Sequence, residues 1–221
     1  MKEFKRFENN AALMNVLTRR SVRAFKQEQI TDEELDAILT AAVYAPTAMN
    51  RQTSKFTVLQ GEKLEKLVSA ITAAVLDGEI AFPRQIDAGY RCNYNAPTLI
   101  IASDVRENPL GYANCACALE NMFLAANALG IGSCWINQVK PACEAPSVRA
   151  LLTSFGVPAD HVCYGSAALG YPASQMPDAP ARVDGRVIRQ IIPVCFAGAP
   201  PLRPVGGTSH APNSRIDCND K

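Results

Sequence analysis

Apolar residues recur along this chain with two different periods, and the switches between them divide it into elements. Leu35, Ile38, Leu39 and Ala42 fall on one helical face behind Thr31 and Glu34, whose separation is that of a capping box. The pattern predicts a helix from Thr31 that stops at Pro46. Leu64, Leu67, Val68, Ile71 and Val75 mark a second helix over 62–76. A long apolar helix over 112–129 ends before Gly130, a residue suited to the left-handed turn after a helix. A short opening helix through Val16 and another from Pro146 to Phe155 complete the helical set. Strands are predicted for Lys55–Gln60, Ala96–Ser103, Ser133–Ile136, His161–Gly170 and, last, within Arg186–Val194. Between 77 and 95, Gly78, Pro83 and Gly89 punctuate irregular chain that is a candidate lid. Helices and strands alternate, so the class is mixed α and β, and the spacing leaves strand order open.

The chain has 221 residues, 48% of them apolar and 19% charged, enough for one domain with a core of its own. Beyond Val194 the composition turns to Pro, Gly and Ser. The reading is therefore a folded domain over 1–194 and a C-terminal arm over 195–221, extended or partly disordered. Lys and Arg total 22 against 21 Asp and Glu, for a net charge of +1. That lacks the basic excess of a dedicated nucleic-acid binder. The longest uncharged stretch, 121–139, is broken by Asn127, Gly130, Gly132, Ser133 and Asn137, so no bilayer span is expected. No export signal is visible, and the expected location is cytoplasmic. Eight cysteines then read as small buried hydrophobes or free thiols.

Four stretches could carry chemistry. Arg19-Arg20-Ser21-Val22-Arg23 packs guanidiniums and a hydroxyl into five residues, and in extended chain Arg19, Ser21 and Arg23 share a side. Such donors suit phosphate oxygens, although a solvated basic turn explains them too. Ala45 to Gln52 (APTAMNRQ) follows a helix end with amides that can read a heterocycle edge, or simply form a tight turn. Leu129 to Ile136 (LGIGSCWI) has glycines that allow close approach of backbone to a ligand. It lacks the third glycine and the strand–helix order of a dinucleotide fingerprint, and a helix cap leading into a strand is the plainer explanation. Leu169-Gly170-Tyr171-Pro172 closes a strand, with Arg182 ten residues beyond the proline.

In this order the four stretches resemble the nitroreductase family of flavin enzymes, over roughly residues 12–192. The resemblance implies an α+β fold, a central and mostly antiparallel sheet flanked by helices, in an intertwined homodimer with FMN at the subunit interface. It implies electrons passing from NADH or NADPH through FMN to a small organic acceptor of nitroaromatic, quinone or enone type, by a ping-pong cycle. By motif, Arg19 and Ser21 would hold the FMN phosphate, with Arg20 acting mainly through backbone. Arg23 would face the ring edge that gains negative charge on reduction. Pro46, Thr47, Ala48 and Asn50 would reach the flavin from the partner subunit. Leu169 and Gly170 would meet the ring side with backbone N–H, and Arg182 would be a second phosphate clamp, with Arg186 as the alternative. Asn93 or Asn95 are further candidates in the segment that matches the family least. No acid, base or nucleophile is implied, since hydride transfer between stacked rings needs proximity and orientation. Another flavin reaction on the same fold (flavin fragmentation or dehalogenation), a non-catalytic flavin binder, and a thiol or metal module built on Cys115, Cys117, Cys134 and Cys143 stand as alternatives, the last without zinc-knuckle spacing.

Overall fold

The computed structural model of this protein describes residues 9–83, 85–175 and 178–188. Among these residues, four strands form one sheet: β1 (Lys55–Gln60), β2 (Thr98–Val105), β3 (Gly132–Ile136) and β4 (His161–Gly170). Their order is β1-β2-β4-β3, and every neighbouring pair is antiparallel. The two inner strands are buried along most of their length, as cover on both faces of the sheet requires. Every residue of β2 but Val105 is buried.

Alternation along the strands sorts side chains to two cores. Leu99 and Ile101 turn to one face, under α3 (Gly61–Leu76), α5 (Val139–Ala142) and α6 (Pro146–Ser154). Ile100 and Ala102 turn to the other, under α2 (Asp32–Val43) and α4 (Gly111–Ala128). The fold is α+β, with helices covering both faces of an antiparallel sheet. In α4 the buried Cys115, Ala118, Leu119, Met122, Phe123 and Ala126 repeat at helical spacing, which seats it on the sheet.

The capping box of α2 is formed. Thr31 Oγ1 accepts from the Glu34 N–H at 3.2 Å, and Glu34 Oε2 accepts from the Thr31 N–H at 2.8 Å. Glu34 also accepts from the Tyr171 hydroxyl at 2.7 Å, tying this helix start to the corner after β4. Those two bonds, with the Tyr171 bond the larger influence, hold the Glu34 carboxyl below its usual range. The first helix, α1 (Ala11–Thr18), buries no residue. Asn side chains fasten it to α4: Asn15 Nδ2 donates to the Leu124 carbonyl at 2.9 Å, and Asn127 Nδ2 donates to Asn15 Oδ1 at 2.7 Å.

The structure adds details that periodicity does not carry. Four-residue α5 and a 3₁₀ turn at Ala48–Asn50 were both absent from the predicted elements. The strand predicted from Ala96 begins at Thr98 and runs on to Val105. A bulge sets Ala102 against Gly165 but Ser103 against Cys163, so Tyr164 is the extra residue. The strand predicted for Arg186–Val194 falls largely outside the described residues, and residues 186–188 form no helix or strand. The arm over 195–221 lies wholly outside them. Contacts divide the chain into units of residues 1–181 and 182–221. Among the described residues, no helix is long and apolar enough to cross a membrane.

Gly165 sits beneath Trp135, where a Cβ would stand 2.6 Å from the indole and 3.0 Å from Leu119 Cδ1. Gly165→Ala should therefore destabilise the fold by about 1–3 kcal/mol in urea denaturation, through forced overpacking. A change below about 0.5 kcal/mol would contradict this packing.

Candidate functional site

Residues 19–26 leave α1 as extended chain and lie along the outer side of β3, then across the end of β4. Ser21 bridges Ser133 in parallel, and Phe25 bridges Pro172 antiparallel. The Val22 N–H donates to the Ser133 carbonyl at 2.9 Å, and that of Lys26 to Tyr171 at 2.8 Å. Val22 and Phe25 turn into the core. The side opposite Val22 therefore holds Arg19, half-buried, and Ser21 and Arg23, both exposed. Glycine makes this close approach feasible. A Cβ on Gly132 would stand 3.0 Å from Val22, and one on Gly170 would stand 2.7 Å from Pro97 Cδ and 3.2 Å from Phe25. Gly130, at φ +74°, ends α4. Both glycines of LGIGS thus have structural reasons to be there.

The guanidiniums in this strip differ in their surroundings. Arg19 Nε lies 3.4 Å from Glu120 Oε1. Arg20 folds back, its Nη1 donating to the carbonyls of Leu17 at 2.8 Å and Arg19 at 2.7 Å, while its buried Nε has no partner among the described residues. Arg23 stands 5.9 Å from the Tyr94 ring centroid, within cation–π reach. Burial pushes the Cys134 thiol up, and Arg23 and then Arg19 pull it part of the way back. Two positive groups therefore bear on Cys134, midway along β3. A multi-oxygen anion suits this strip: it presents the Arg19 and Arg23 guanidiniums and the exposed Ser21 hydroxyl on one side.

Leu169 and Gly170 lie at the same end of the sheet, paired with Ser133 and Gly132. Both are buried, and the Leu169 side chain sits in the core beneath α2 and α4. Only backbone remains there to meet a ligand.

The Pro46–Asn50 loop is elsewhere. Its Met49, Asn50 and nearby Gln52 have φ of 52°, 53° and 51°, a costly choice for residues with a Cβ. Internal bonds hold it: the Gln52 N–H donates to Thr47 Oγ1 at 3.1 Å, and Gln52 Nε2 to Asn50 Oδ1 at 2.9 Å. The Ala48 N–H donates to Asn114 Oδ1 at 3.0 Å, and Asn114 Nδ2 donates to Asp104 Oδ2 at 3.1 Å. Asp104 is near the last residue of β2, whereas Thr98, at its start, pairs with Leu169. Six residues at about 3.4 Å each put the loop anchor ~20 Å from the Arg19–Arg23 end of the sheet. Beside the loop is a cleft of about 430 Å³ lined by Leu39, Ala42, Thr47, Ser54, Phe56 and Asn114 among others.

Of the remaining candidates, Asn93 is buried, its Nδ2 donating to the Ala96 carbonyl at 2.9 Å and its Oδ1 without a partner among the described residues, while Asn95 is exposed. Arg182 and Arg186 belong to the second unit, where residues 182–188 are all exposed. Burial pushes the Cys92 and Cys115 thiols up to about 12, so both stay protonated at neutral pH. His161 Nδ1 lies 3.1 Å from Ser103 Oγ. Among the described residues, no group of three or more His, Cys, Asp or Glu is placed to hold a metal ion. Sequence reasoning missed Tyr94 over Arg23, for which no signal existed. It also missed Asp104, whose signal was a lone acid at the end of the apolar run TLIIASD.

Comparison with known proteins bears on the same segments. The nitroreductase family matches residues 16–171. A protein of Archaeoglobus fulgidus, provisionally named an NADH dehydrogenase/NAD(P)H nitroreductase, is 32% identical over 168 residues, covering 74% of this chain and 86% of its own. The crystal structure of a nitroreductase with bound FMN from Bacteroides fragilis is similar at a TM-score of 0.73 and 40% identity, covering 82% of this chain and 100% of that one. Another with bound FMN, from Desulfitobacterium hafniense, gives 0.71 and 26%, over 82% and 99%. The match runs from within α1 to the corner after β4, through the basic strip, the strained loop and the whole sheet, and this chain belongs to the nitroreductase family.

Proposed function

We propose that this chain is an FMN-dependent oxidoreductase that passes electrons from NADH or NADPH to a nitroaromatic, quinone or enone acceptor, in two half-reactions of a ping-pong cycle. The enzyme class follows the family, whose relatives include nitroreductases with bound FMN. The observation that carries the reading on this chain is the outward-facing set of Arg19, Ser21 and Arg23 on the sheet edge.

When bound, FMN supplies the ring that accepts and returns the electrons. The chain's residues bind and orient it. Arg19 and Ser21 hold the phosphate through charge-assisted hydrogen bonds. Arg20 contributes backbone, because its side chain is engaged by the carbonyls at the end of α1. Arg23, steadied by Tyr94, keeps a positive charge at the ring edge. Backbone at Leu169 and Gly170 faces the ring. No side chain is assigned a proton or a covalent bond.

The loop residues Pro46, Thr47, Ala48 and Asn50 complete the site from a second copy. The ~20 Å between loop anchor and basic strip within one chain supports this. So does apolar surface beside the loop: Val43, Tyr44 and Met49 are 62%, 83% and 75% exposed. Uncovered side chains in such a group mark an interaction surface. A homodimer with two equivalent sites satisfies both observations.

Two substitutions test these roles. Arg19→Ala should weaken FMN binding about tenfold in a fluorescence titration, for loss of a charge-assisted hydrogen bond; unchanged affinity would contradict the phosphate role. Arg23→Ala should lower the two-electron midpoint potential of the bound flavin, because the cation that favours the reduced ring is gone. A potential equal to or above that of the wild type would contradict it.

A further inference from the structure

At the far end of β2, a fully buried carboxylate collects hydrogen bonds from the strained loop's own supports. Asp104 is 0% exposed. Its Oδ2 accepts from Ser54 Oγ at 2.8 Å and Asn114 Nδ2 at 3.1 Å. Its Oδ1 accepts from the Val105 N–H at 2.8 Å and Asn108 Nδ2 at 3.3 Å. Asn108 Nδ2 also reaches Thr53 Oγ1 at 3.4 Å. Burying a charge is costly, and a neutral side chain would fill the space more cheaply. What a neutral side chain lacks is acceptor capacity. An ionised carboxylate offers about four lone-pair positions and no donor. Here donors stand at four of them.

That one-sidedness has a directional consequence. Facing a group that only accepts, Asn114 must present its amide NH₂ to Asp104, which leaves its carbonyl for the Ala48 N–H. The carboxylate thus decides which way the amide is turned, and the amide decides whether Ala48 has an acceptor. Ser54, at the other end of the loop, is held by the same oxygen. Between these two fixed points lie Met49, Asn50 and Gln52 with positive φ, a fold that persists only where its surroundings over-determine it.

We propose that Asp104 is a positioning residue: through Asn114 and Ser54 it sets the conformation in which the 47–54 loop meets FMN in the partner subunit. This rests on the reading above that the loop lines the flavin. The link to the cofactor is indirect, and Asp104 itself touches neither flavin nor substrate.

The test is a reciprocal swap. In Asp104→Asn, an NH₂ at the Oδ2 position faces the NH₂ of Asn114. Asn114 must then flip, and the Ala48 N–H loses its acceptor. Adding Asn114→Asp restores the pattern with roles exchanged: the new amide donates to Asp at 114, whose other oxygen accepts from Ala48, and the Ser54 hydroxyl accepts in place of donating. Amide hydrogen exchange at Ala48 is read in the flavin-free protein, and FMN affinity by fluorescence titration. D104N should quicken Ala48 exchange about tenfold and weaken FMN about tenfold, as expected for one buried hydrogen bond lost. The D104N/N114D pair should bring both to within about threefold of wild type, as for directly coupled neighbours. Should D104N fail to fold, Asn114→Ala leaves the carboxylate in place and should give the same Ala48 signature. Unchanged exchange and affinity in D104N, or a swap that restores neither, overturns the proposal. Fast exchange with normal affinity overturns its link to the cofactor. A wild-type protein that takes up no FMN defeats the cofactor reading alone, and the Ala48 data still decide whether Asp104 sets the loop.

Discussion

The seating of an extended basic strip against one end of the sheet is the constraint on which the rest depends. Val22 must reach the core beside Gly132, and Phe25 must pack against Gly170; no Cβ is tolerated at either glycine without displacement. With Val22 inward, alternation along extended chain turns its neighbours Ser21 and Arg23 outward. The charges are therefore displayed as a by-product of packing. Their exposure is not a property of the arginines alone, since Arg20 next to them is turned back onto helix α1. A fixed display differs from a flexible basic turn in one respect that matters for binding. Less conformational entropy is lost when the anion arrives.

The sheet also separates two sets of residues that a single cofactor would need. Strip and loop are attached to opposite ends of β2 and β4, and no bending of an antiparallel sheet core would bring them together. In the proposed homodimer, a second copy would supply the missing half with the same sequence. That arrangement would account for features that are otherwise costly: a first helix that buries none of its residues, and Tyr44 and Met49 held out in solvent beside a strained loop. Strain in that loop has its counterweight behind it, where Asn114 and Ser54 converge on a buried carboxylate.

How far the sequence disclosed this depended on the range of the interaction. The start of α2 was legible because Thr31 and Glu34 cap it locally, and β1 because its six residues are bounded by a turn on one side and a helix on the other. Strand order was not legible, since β4 inserts between β2 and β3 from more than twenty residues away in the chain. The bulge at Tyr164 exists only relative to its partner strand and leaves no mark on periodicity. Short α5 has too few residues to show a period at all. At the site, the alternation of Arg19, Ser21 and Arg23 was readable as soon as the segment was taken as extended. Asp104 was not, because a carboxylate in an apolar run becomes meaningful only once Ser54, Asn108 and Asn114 are known to surround it. The positive φ values at Met49 and Gln52 were hidden for a similar reason: neither residue type favours them, so tertiary bonds must impose them.

The central claim is that each flavin is held by the basic strip of one copy and the loop of another. Complementation between subunits measures this directly. A chain with Arg19→Ala and Arg23→Ala and a second chain with Asn50→Ala and Thr47→Ala, each tuned to retain little FMN alone, are unfolded together, refolded as a mixture and titrated with flavin. Random pairing makes half of the dimers mixed, and each mixed dimer has one site with both halves intact, so about a quarter of all sites should recover wild-type affinity. A mixture that binds no better than the average of its two components would contradict the account.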